Sequence, residues 1–216
     1  VTKRRLDTRL APVEVKKRLK KYGKGLRELN QKINVSKSET IYKQMNAKNG
    51  EMWEEYHRRL RDVRKTWRVD PLDRISEAIE KLPNWFGIGD FGCGKAQIQD
   101  AIGLNVISFE HVAIDDFTKV KCCDIGNEKD LRKYLKDGDL DIALFCRSLS
   151  CGKNWKDYIK NAYWCLAKEG QLYIAETTSH MENKLKGLRE VIKEVGFKIY
   201  KDEEIGEHTF IRAIKK

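Results

Sequence analysis

Residues 86–94 read Phe-Gly-Ile-Gly-Asp-Phe-Gly-Cys-Gly, an apolar run that ends in an acid and two closely spaced glycines. Such a run predicts a buried strand that leads into a sharp turn, where Gly92 and Gly94 allow backbone angles or close approaches that a Cβ would forbid. The segment is not a G-x-G-x-x-G dinucleotide turn, because Gln97 stands where the third glycine would be. It therefore predicts a ligand-binding turn at the end of a strand, with a carboxylate, Asp90, just before it.

Downstream of this turn, strand-like apolar segments alternate with helical ones. We predict strands at 86–91, 105–112, 119–123, 140–146, 170–175, 197–203 and 207–214, and helices at 95–102, 127–136, 154–167 and 181–195. The alternation predicts an α/β fold with a Rossmann-like, mostly parallel seven-stranded sheet. Because residues 204–206 leave no room for a helix, the last two strands must form an antiparallel hairpin. A sheet that ends in this way is typical of class I methyltransferases.

Residues 1–70 differ from the remainder in charge. They hold 21 Lys and Arg against 9 Asp and Glu, whereas the other residues hold 23 against 24. Apolar residues recur at helical spacing over 15–33, 53–67 and 72–82, and the pair Asp70-Pro71 predicts a helix start. We therefore expect a basic helical segment over 1–70 and a Rossmann-like domain over 71–216.

A basic segment ahead of a near-neutral domain predicts an arm that binds nucleic acid. The candidate contacts are Lys16, Lys17, Lys20, Lys21, Arg58, Arg59, Arg64 and Lys65. A solvated helix surface is the alternative interpretation.

Other classes of protein are disfavoured by composition. No apolar run reaches membrane-spanning length, and the charged N-terminus lacks the apolar stretch of a secretory signal. The six cysteines contain no C-x-x-C pair and the four histidines are scattered, so we expect reduced thiols and no metal site. We expect an intracellular protein, cytoplasmic in a prokaryote or nuclear to nucleolar in a eukaryote. A chain that starts at Val1 also suggests a processed protein or a domain of a longer one.

In an open α/β sheet, ligands lie at the carboxyl ends of the strands, so the residues that end or follow each strand are the candidates. An acid before the glycine turn suits S-adenosylmethionine, which is cationic and lacks phosphates. The predicted cofactor-binding residues are Asp90, Phe91, Gly92, Cys93, Gly94, Glu110, Asp124, Ile125 and Cys146. Glu110 is expected to accept hydrogen bonds from ribose hydroxyls, unless Asp115 or Asp116 does so. Asp124 is expected to accept from the adenine amine, with a helix N-cap as its alternative role.

The segment after the fourth strand is expected to border the acceptor. Arg147, Ser148 and Trp155 are the residues we predict to position it, with Trp155 stacking on a base and Arg147 meeting a phosphate or a base, or else solvent. We expect the cysteines here to be structural. The helical spacing of Trp53 and Trp67 predicts that both are core residues.

Several segments in order resemble the ribosomal RNA-processing protein 8 (nucleomethylin-like) methyltransferases. They are Asp90-Phe91-Gly92-Cys93-Gly94, Ser108-Phe109-Glu110, Cys123-Asp124-Ile125, 141–146, Ser148-Leu149, Asp157-Tyr158, 170–176 and Gly196-Phe197, and upstream Ile41-Tyr42, Tyr56-His57, Trp67 and Pro71-x-Asp73-Arg74-Ile75. The resemblance covers about residues 40 to 214. It implies S-adenosylmethionine as cofactor and methylation of N1 of adenine in large-subunit ribosomal RNA.

This chain departs from the family pattern at two positions of the site. Glu110 stands where the family has Asp, and the segment from Ser148 to Trp155 is one residue longer. A DNA adenine methyltransferase remains an alternative, although residues 145–150 lack the Asp/Asn/Ser-Pro-Pro-Tyr/Phe signature of amino-directed DNA enzymes. A non-catalytic module that binds nucleic acid or cofactor within a larger complex is another. A small-molecule methyltransferase would leave the basic segment unexplained.

Overall fold

The computed structural model describes residues 30, 31, 33, 35–102, 105–112 and 120–216. Its centre is a seven-stranded sheet of order β3-β2-β1-β4-β5-β7-β6. The strands are β1 Ile88–Phe91, β2 Val106–Glu110, β3 Val120–Cys122, β4 Leu140–Cys146, β5 Leu166–Thr177, β6 Phe197–Ile205 and β7 His208–Lys215. Strands β1 to β5 pair in parallel, whereas β7 is antiparallel to both β5 and β6. The predicted sheet with its C-terminal hairpin is confirmed.

Eight α-helices belong to the described residues. They are α1 Ser38–Asn46, α2 Glu51–Arg64, α3 Pro71–Ile79, α4 Gln97–Ile102, α5 Glu128–Leu131, α6 Trp155–Cys165, α7 Thr178–Asn183 and α8 Leu188–Val195. Helix α3 begins as predicted, because the Asp70 side chain accepts the N–H of Leu72 over 3.0 Å and Pro71 fills the first helical position. None of the described helices is long and apolar enough to cross a membrane.

The helix expected at 127–136 is only the short helix α5, Glu128–Leu131. Two further helix predictions were wrong in extent. The single helix expected at 181–195 is two helices, because Gly187 has a φ of +81° and starts a new helix at Leu188. Helix α2 ends at Arg64, so Trp67 lies in the non-helical connection to α3. This second difference matters for the site, because Trp67 is half-buried and lines a cavity and is therefore not a core residue.

Apolar side chains pack on both faces of the sheet. On one face, Phe91 stacks between Phe109 and Phe145 with ring centroids 5.2 and 5.3 Å apart, beneath α6 and α8. On the other face, Ile75 of α3 and Ile98 of α4 pack against the strands. A third cluster joins α1 and α2, and Trp53 is fully buried in it, as predicted.

Helices α1 and α2 are held against the carboxyl edge of the parallel strands. The Ser38 hydroxyl donates to Asp124 over 3.0 Å and accepts from Asn154 over 2.9 Å, and the Ser38 N–H donates to the Asn154 side chain over 2.8 Å. Ser38 is thus buried at the start of α1. These bonds bring part of the predicted basic segment over the sheet edge where ligands bind in this class of fold.

Candidate functional site

A cavity of about 200 Å³ lies between α1 and α2 on one side and the carboxyl ends of β1, β2 and β4 on the other. Its lining brings together Asp90, Gly92, Cys93, Gly94, Glu110, Ile125, Cys146, Arg147 and Ser148, nine of the twelve predicted cofactor-binding and positioning residues. Three aromatic residues of α2, Trp53, Tyr56 and His57, line the opposite wall. The predicted position of the site at this edge of the sheet therefore coincides with a cavity.

The turn after β1 has the backbone geometry that its glycines predict. Gly92 and Gly94 have φ of +77° and +58°, the left-handed region in which a side chain is strained. A Cβ on Gly92 would lie 2.5 Å from the Ser148 Cβ, and one on Gly94 would lie 2.8 Å from the His57 ring. Both positions therefore require glycine, because of the backbone angle and because of the lack of space for a Cβ. The same contacts show that the turn lies directly against α2 and the segment after β4.

Asp90 is a buried carboxylate at the end of β1. It is 2% exposed, and among the described residues no hydrogen bond reaches its oxygens. Burial, and then the charge of Glu110, raise the pKa of Asp90 to about 7. A buried acid in this state attracts a cation from the cavity, because a positive partner would restore its charged form.

Glu110 is also buried, but its carboxylate is oriented by the backbone. One oxygen accepts the N–H of Gly94 over 2.9 Å and the other accepts the N–H of His111 over 2.7 Å. Each carboxylate oxygen has a second acceptor site. The arrangement can therefore receive two further donors, such as a pair of hydroxyls.

Asp124 lies beside the cavity and is not part of its lining. Its oxygens accept from the Ser38 hydroxyl and from the Gly126 N–H, at 3.0 and 2.9 Å. It is not a helix N-cap, because Asn127 caps α5 by accepting from Lys129. Its neighbours Cys123 and Ile125 face the cavity instead.

Arg147 follows β4 with a φ of +61°, which is uncommon for a residue with a Cβ. Its guanidinium stacks on the Trp67 ring, 4.1 Å from the centroid. Its Nε and Nη1 are buried with no hydrogen-bond partner among the described residues. The next residue, Ser148, donates its hydroxyl to the carbonyl oxygen of Phe91 over 2.5 Å and so ties this segment to the glycine turn.

The thiols at the site are not prepared for nucleophilic attack. Burial raises the pKa of Cys151 to about 12 and that of Cys146 further. The six cysteines are free, as expected. Among the described residues, no three His, Cys, Asp or Glu side chains are grouped so that they could hold a metal ion.

Two of the predicted site residues have side chains in the hydrophobic core and not in the cavity. Trp155 is 6% exposed and packs in the core, so the prediction that it stacks on a base is wrong for this structure. Phe91 is likewise a core residue, and only its backbone reaches the site.

The four predicted nucleic-acid contacts in α2 and just after it each pair with an acid. Arg58 and Arg59 both bind Glu55, and Lys65 binds Asp62. Arg64 binds Asp70 and Gln97 and lines the cavity. The predicted contacts Lys16, Lys17, Lys20 and Lys21 lie outside the described residues.

Two histidines near the cavity were not predicted from the sequence. His57 covers the glycine turn, and His208 packs against Trp67 with ring centroids 4.9 Å apart. His57 belongs to the Tyr56-His57 pair that carries part of the family resemblance, so a signal for it existed. His208 begins the antiparallel strand β7, and no motif marks it.

Comparisons with known proteins agree with this architecture. The fold is similar to that of a Burkholderia thailandensis 1,6-didemethyltoxoflavin-N1-methyltransferase with bound S-adenosylhomocysteine, with a TM-score of 0.56, 14% identity and coverage of 76% of this chain and 87% of that one. It is also similar to a TehB-like SAM-dependent methyltransferase from Corynebacterium glutamicum, with a TM-score of 0.55, 18% identity and coverage of 76% and 98%. These likenesses show the class I methyltransferase fold.

Sequence relatives are more specific. The chain is 29% identical to Ribosomal RNA-processing protein 8 of Dictyostelium discoideum over 205 residues, which are 94% of this chain and 50% of that protein. It is 31% identical to a 25S rRNA (adenine(645)-N(1))-methyltransferase of Schizosaccharomyces pombe over 189 residues, 82% of this chain and 57% of that protein. The chain thus spans about half the length of these curated relatives.

The resemblance to the ribosomal RNA-processing protein 8 family is confirmed by these relatives. A family profile described as "Hypothetical methyltransferase" matches residues 12–216, nearly the whole chain. The chain belongs to this family of methyltransferases.

Proposed function

We propose that the chain is an S-adenosylmethionine-dependent methyltransferase that acts on adenine in RNA, with N1 of the ring as the favoured acceptor. The observation that carries this proposal is the cavity at the carboxyl edge of the sheet. Two buried carboxylates, Asp90 and Glu110, face one part of it. The guanidinium of Arg147, whose Nε and Nη1 have no hydrogen-bond partner among the described residues, faces another. The family membership gives the type of reaction.

The cavity residues fit S-adenosylmethionine. Asp90 has no hydrogen bond from the described residues, which suits the amino group of the cofactor, and Glu110 has acceptor sites left for two ribose hydroxyls. Ile125 and Cys123 offer an apolar wall for the adenine ring, and Asp124 lies next to them. We assign Gly92, Cys93, Gly94 and Cys146 to the backbone and walls that surround the cofactor, with Phe91 behind them.

The bound cofactor would supply a methyl group on a positively charged sulfur. The protein contributes mainly position, because transfer of this methyl group needs the acceptor atom in line with the carbon–sulfur bond. Ser148 fixes the segment after β4 against the glycine turn, and Arg147 faces the acceptor side. Trp53, Tyr56 and His57 of α2 cover the cavity and exclude water; burial lowers the pKa of His57 to about 3, so its ring is neutral.

RNA is the favoured substrate because of the charge distribution and the relatives. The excess of Lys and Arg in residues 1–70 suits the phosphates of a nucleic acid. The Schizosaccharomyces pombe relative is named as a ribosomal RNA adenine methyltransferase. We include Lys16, Lys17, Lys20, Lys21, Arg58, Arg59, Arg64 and Lys65 among the proposed contacts, although the last four already bind partners within the protein. An enzyme of ribosomal RNA would work inside the cell, in the nucleolus of a eukaryote.

Transfer of labelled methyl groups from S-adenosylmethionine to total RNA and to genomic DNA, followed by nucleoside analysis, tests the proposal. We expect label in RNA, as 1-methyladenosine, and none with Asp90→Asn. Label in DNA alone would contradict RNA as the substrate. Cofactor binding without transfer to either pool would instead identify a non-catalytic module.

A further inference from the structure

Three residues at one edge of the sheet have buried polar atoms that lack partners among the described residues. They are the Nε and Nη1 of Arg147, the Oγ1 of Thr177, and both ring nitrogens of His208. Native proteins leave few such atoms unsatisfied, and each one requires an explanation. The three residues lie at the ends of three different strands, β4, β5 and β7, and the pairing of these strands brings the residues together.

The sheet register explains their proximity. Cys146 is paired with Ala175 on β5, and the N–H of Arg147 donates to the Ala175 carbonyl over 2.7 Å. Thr177, two residues further along β5, is directly paired with His208 on β7. Arg147, Thr177 and His208 therefore lie at the same edge of the sheet, on the β5 side of the glycine turn.

Trp67 packs against two of these residues, Arg147 and His208. Its ring lies 4.1 Å from the Arg147 guanidinium and 4.9 Å from the His208 ring, and it belongs to the non-helical connection between α2 and α3. Trp67 and Arg147 also line the cavity, whereas His208 is fully buried. The indole is a two-ring aromatic group that stacks on a guanidinium. Proteins often hold a nucleobase by the same stacking on an arginine side chain.

We propose that Trp67 occupies the position of the acceptor base, and that a purine displaces it to stack on Arg147 and hydrogen-bond to Thr177 and His208. This inference rests on the proposed function and names the site of its acceptor. Burial and the charge of Arg147 lower the pKa of His208 to about 4, so the ring is neutral and offers one donor and one acceptor. The Thr177 hydroxyl can also donate and accept. Adenine is similar in size to an indole, and its ring nitrogens and amino group supply the acceptors and donors that these two side chains need.

The base preference of the protein tests the two hydrogen-bonding residues. We would measure the affinity of the full chain for a short oligoadenylate and for an oligouridylate of equal length. Thr177→Val and His208→Phe should each reduce the preference for oligoadenylate about tenfold. The matched control is Thr209→Val, whose hydroxyl already has Thr178 as a partner at 3.1 Å, and it should leave the preference unchanged. Wild-type preference in both test variants would overturn the proposal.

Thermal unfolding separates a binding role from a structural one. Replacement of an unsatisfied buried polar group by an apolar one removes a cost, so Thr177→Val and His208→Phe should keep or raise the melting temperature. Thr209→Val loses a made hydrogen bond and should lower it. If His208→Phe does not fold, Thr177→Val with its control still decides the question.

Displacement of Trp67 is tested by fluorescence and by truncation. Oligoadenylate should change the emission of the wild type and not that of Trp67→Phe. Trp67→Ala should bind oligoadenylate as tightly as the wild type or more tightly, because the indole no longer competes with the base. A tenfold loss of affinity in Trp67→Ala would mean that the indole itself holds the base, and would overturn the displacement.

The failure of this inference is distinct from failure of the proposed function. If the wild type methylates RNA and the variants keep its base preference, the inference alone fails. If the wild type neither binds nor methylates RNA, both fail.

Discussion

The backbone N–H of Gly94 donates to the carboxylate of Glu110 over 2.9 Å, so the turn after β1 is bound to the end of β2. Parallel pairing of β1 and β2 brings these two ends together, with Phe91 opposite Phe109. The side chain that is proposed to hold the ribose therefore also fixes the turn proposed to surround the cofactor. A change at Glu110 should affect both.

Glu110→Gln should weaken cofactor binding at least tenfold. The amide retains one acceptor oxygen where the carboxylate has two, so either the Gly94 N–H or the His111 N–H loses its partner, together with one of the two acceptor sites proposed for the ribose hydroxyls. Titration calorimetry with S-adenosylhomocysteine measures the loss. Glu80→Gln on the exposed end of α3 serves as the control and should bind normally. Unchanged affinity in Glu110→Gln would remove this residue from the site.

Asp90→Asn should stabilise the free protein by roughly 1 to 3 kcal/mol at pH 8. The pKa of Asp90 is raised to about 7 in the folded protein, and an unfolded aspartate titrates near 4, so folding favours the protonated acid. As the pH rises from about 4 to about 7, the unfolded chain loses this proton while the folded protein retains it, so the stability of the wild type falls over this range. Urea unfolding should show that the advantage of the variant disappears towards pH 4; a variant less stable than the wild type at pH 8 would contradict this.

Gly92→Ala should be much more destabilising than Gly138→Ala, although both glycines have nearly the same φ, +77° and +75°. Both variants incur the strain of a left-handed alanine, about 1 to 2 kcal/mol. Only at Gly92 does the new Cβ meet another atom, 2.5 Å away on Ser148, whereas at Gly138 the nearest atom is 3.8 Å away. Chemical denaturation gives the free energy of unfolding of each variant, and the difference between the two losses is the cost of the steric contact at Gly92. Equal losses would mean that Ser148 moves freely.

Ser38→Ala should lower the stability by about 1 to 3 kcal/mol, because the buried Asp124 carboxylate and the Asn154 amide each lose a partner. Ser179→Ala, at an exposed position on α7, is the matched control and should have no effect. Thermal unfolding compares the two. An unaffected Ser38→Ala protein would show that the hydroxyl of Ser38 does not help to hold α1 to the sheet.

Local pattern predicted most of the fold. The strand β4 and the antiparallel hairpin follow from runs of apolar residues and a short connection. Strand β4 is observed at its predicted bounds, and the hairpin strands with small shifts of their ends. The break in the last predicted helix was missed because the helical periodicity continues across Gly187, and only the backbone shows its left-handed conformation. Trp67 was misassigned for a related reason, since its spacing fits a helix that ends three residues earlier.

The proposed cofactor side of the site was more predictable than the proposed acceptor side. Asp90, Gly94 and Glu110 directly end or follow strands, and strand position alone brings them to one edge. Contacts of Arg147 with Trp67, and of Trp67 with His208, join segments far apart in sequence. Such packing between distant segments leaves no periodic pattern in the sequence, so the spacing of Trp67 predicts a core residue and not one that lines the cavity.

The most direct test of the account is calorimetric titration of the wild type and of Asp90→Asn with S-adenosylmethionine at several pH values. The wild type should bind one equivalent, with an affinity that falls about tenfold per unit of pH below about 7, because protonation removes the charge that the amino group binds. Asp90→Asn should bind at least tenfold more weakly at pH 8 and show no such dependence. Equal binding by both proteins, or no binding by the wild type, would contradict the account.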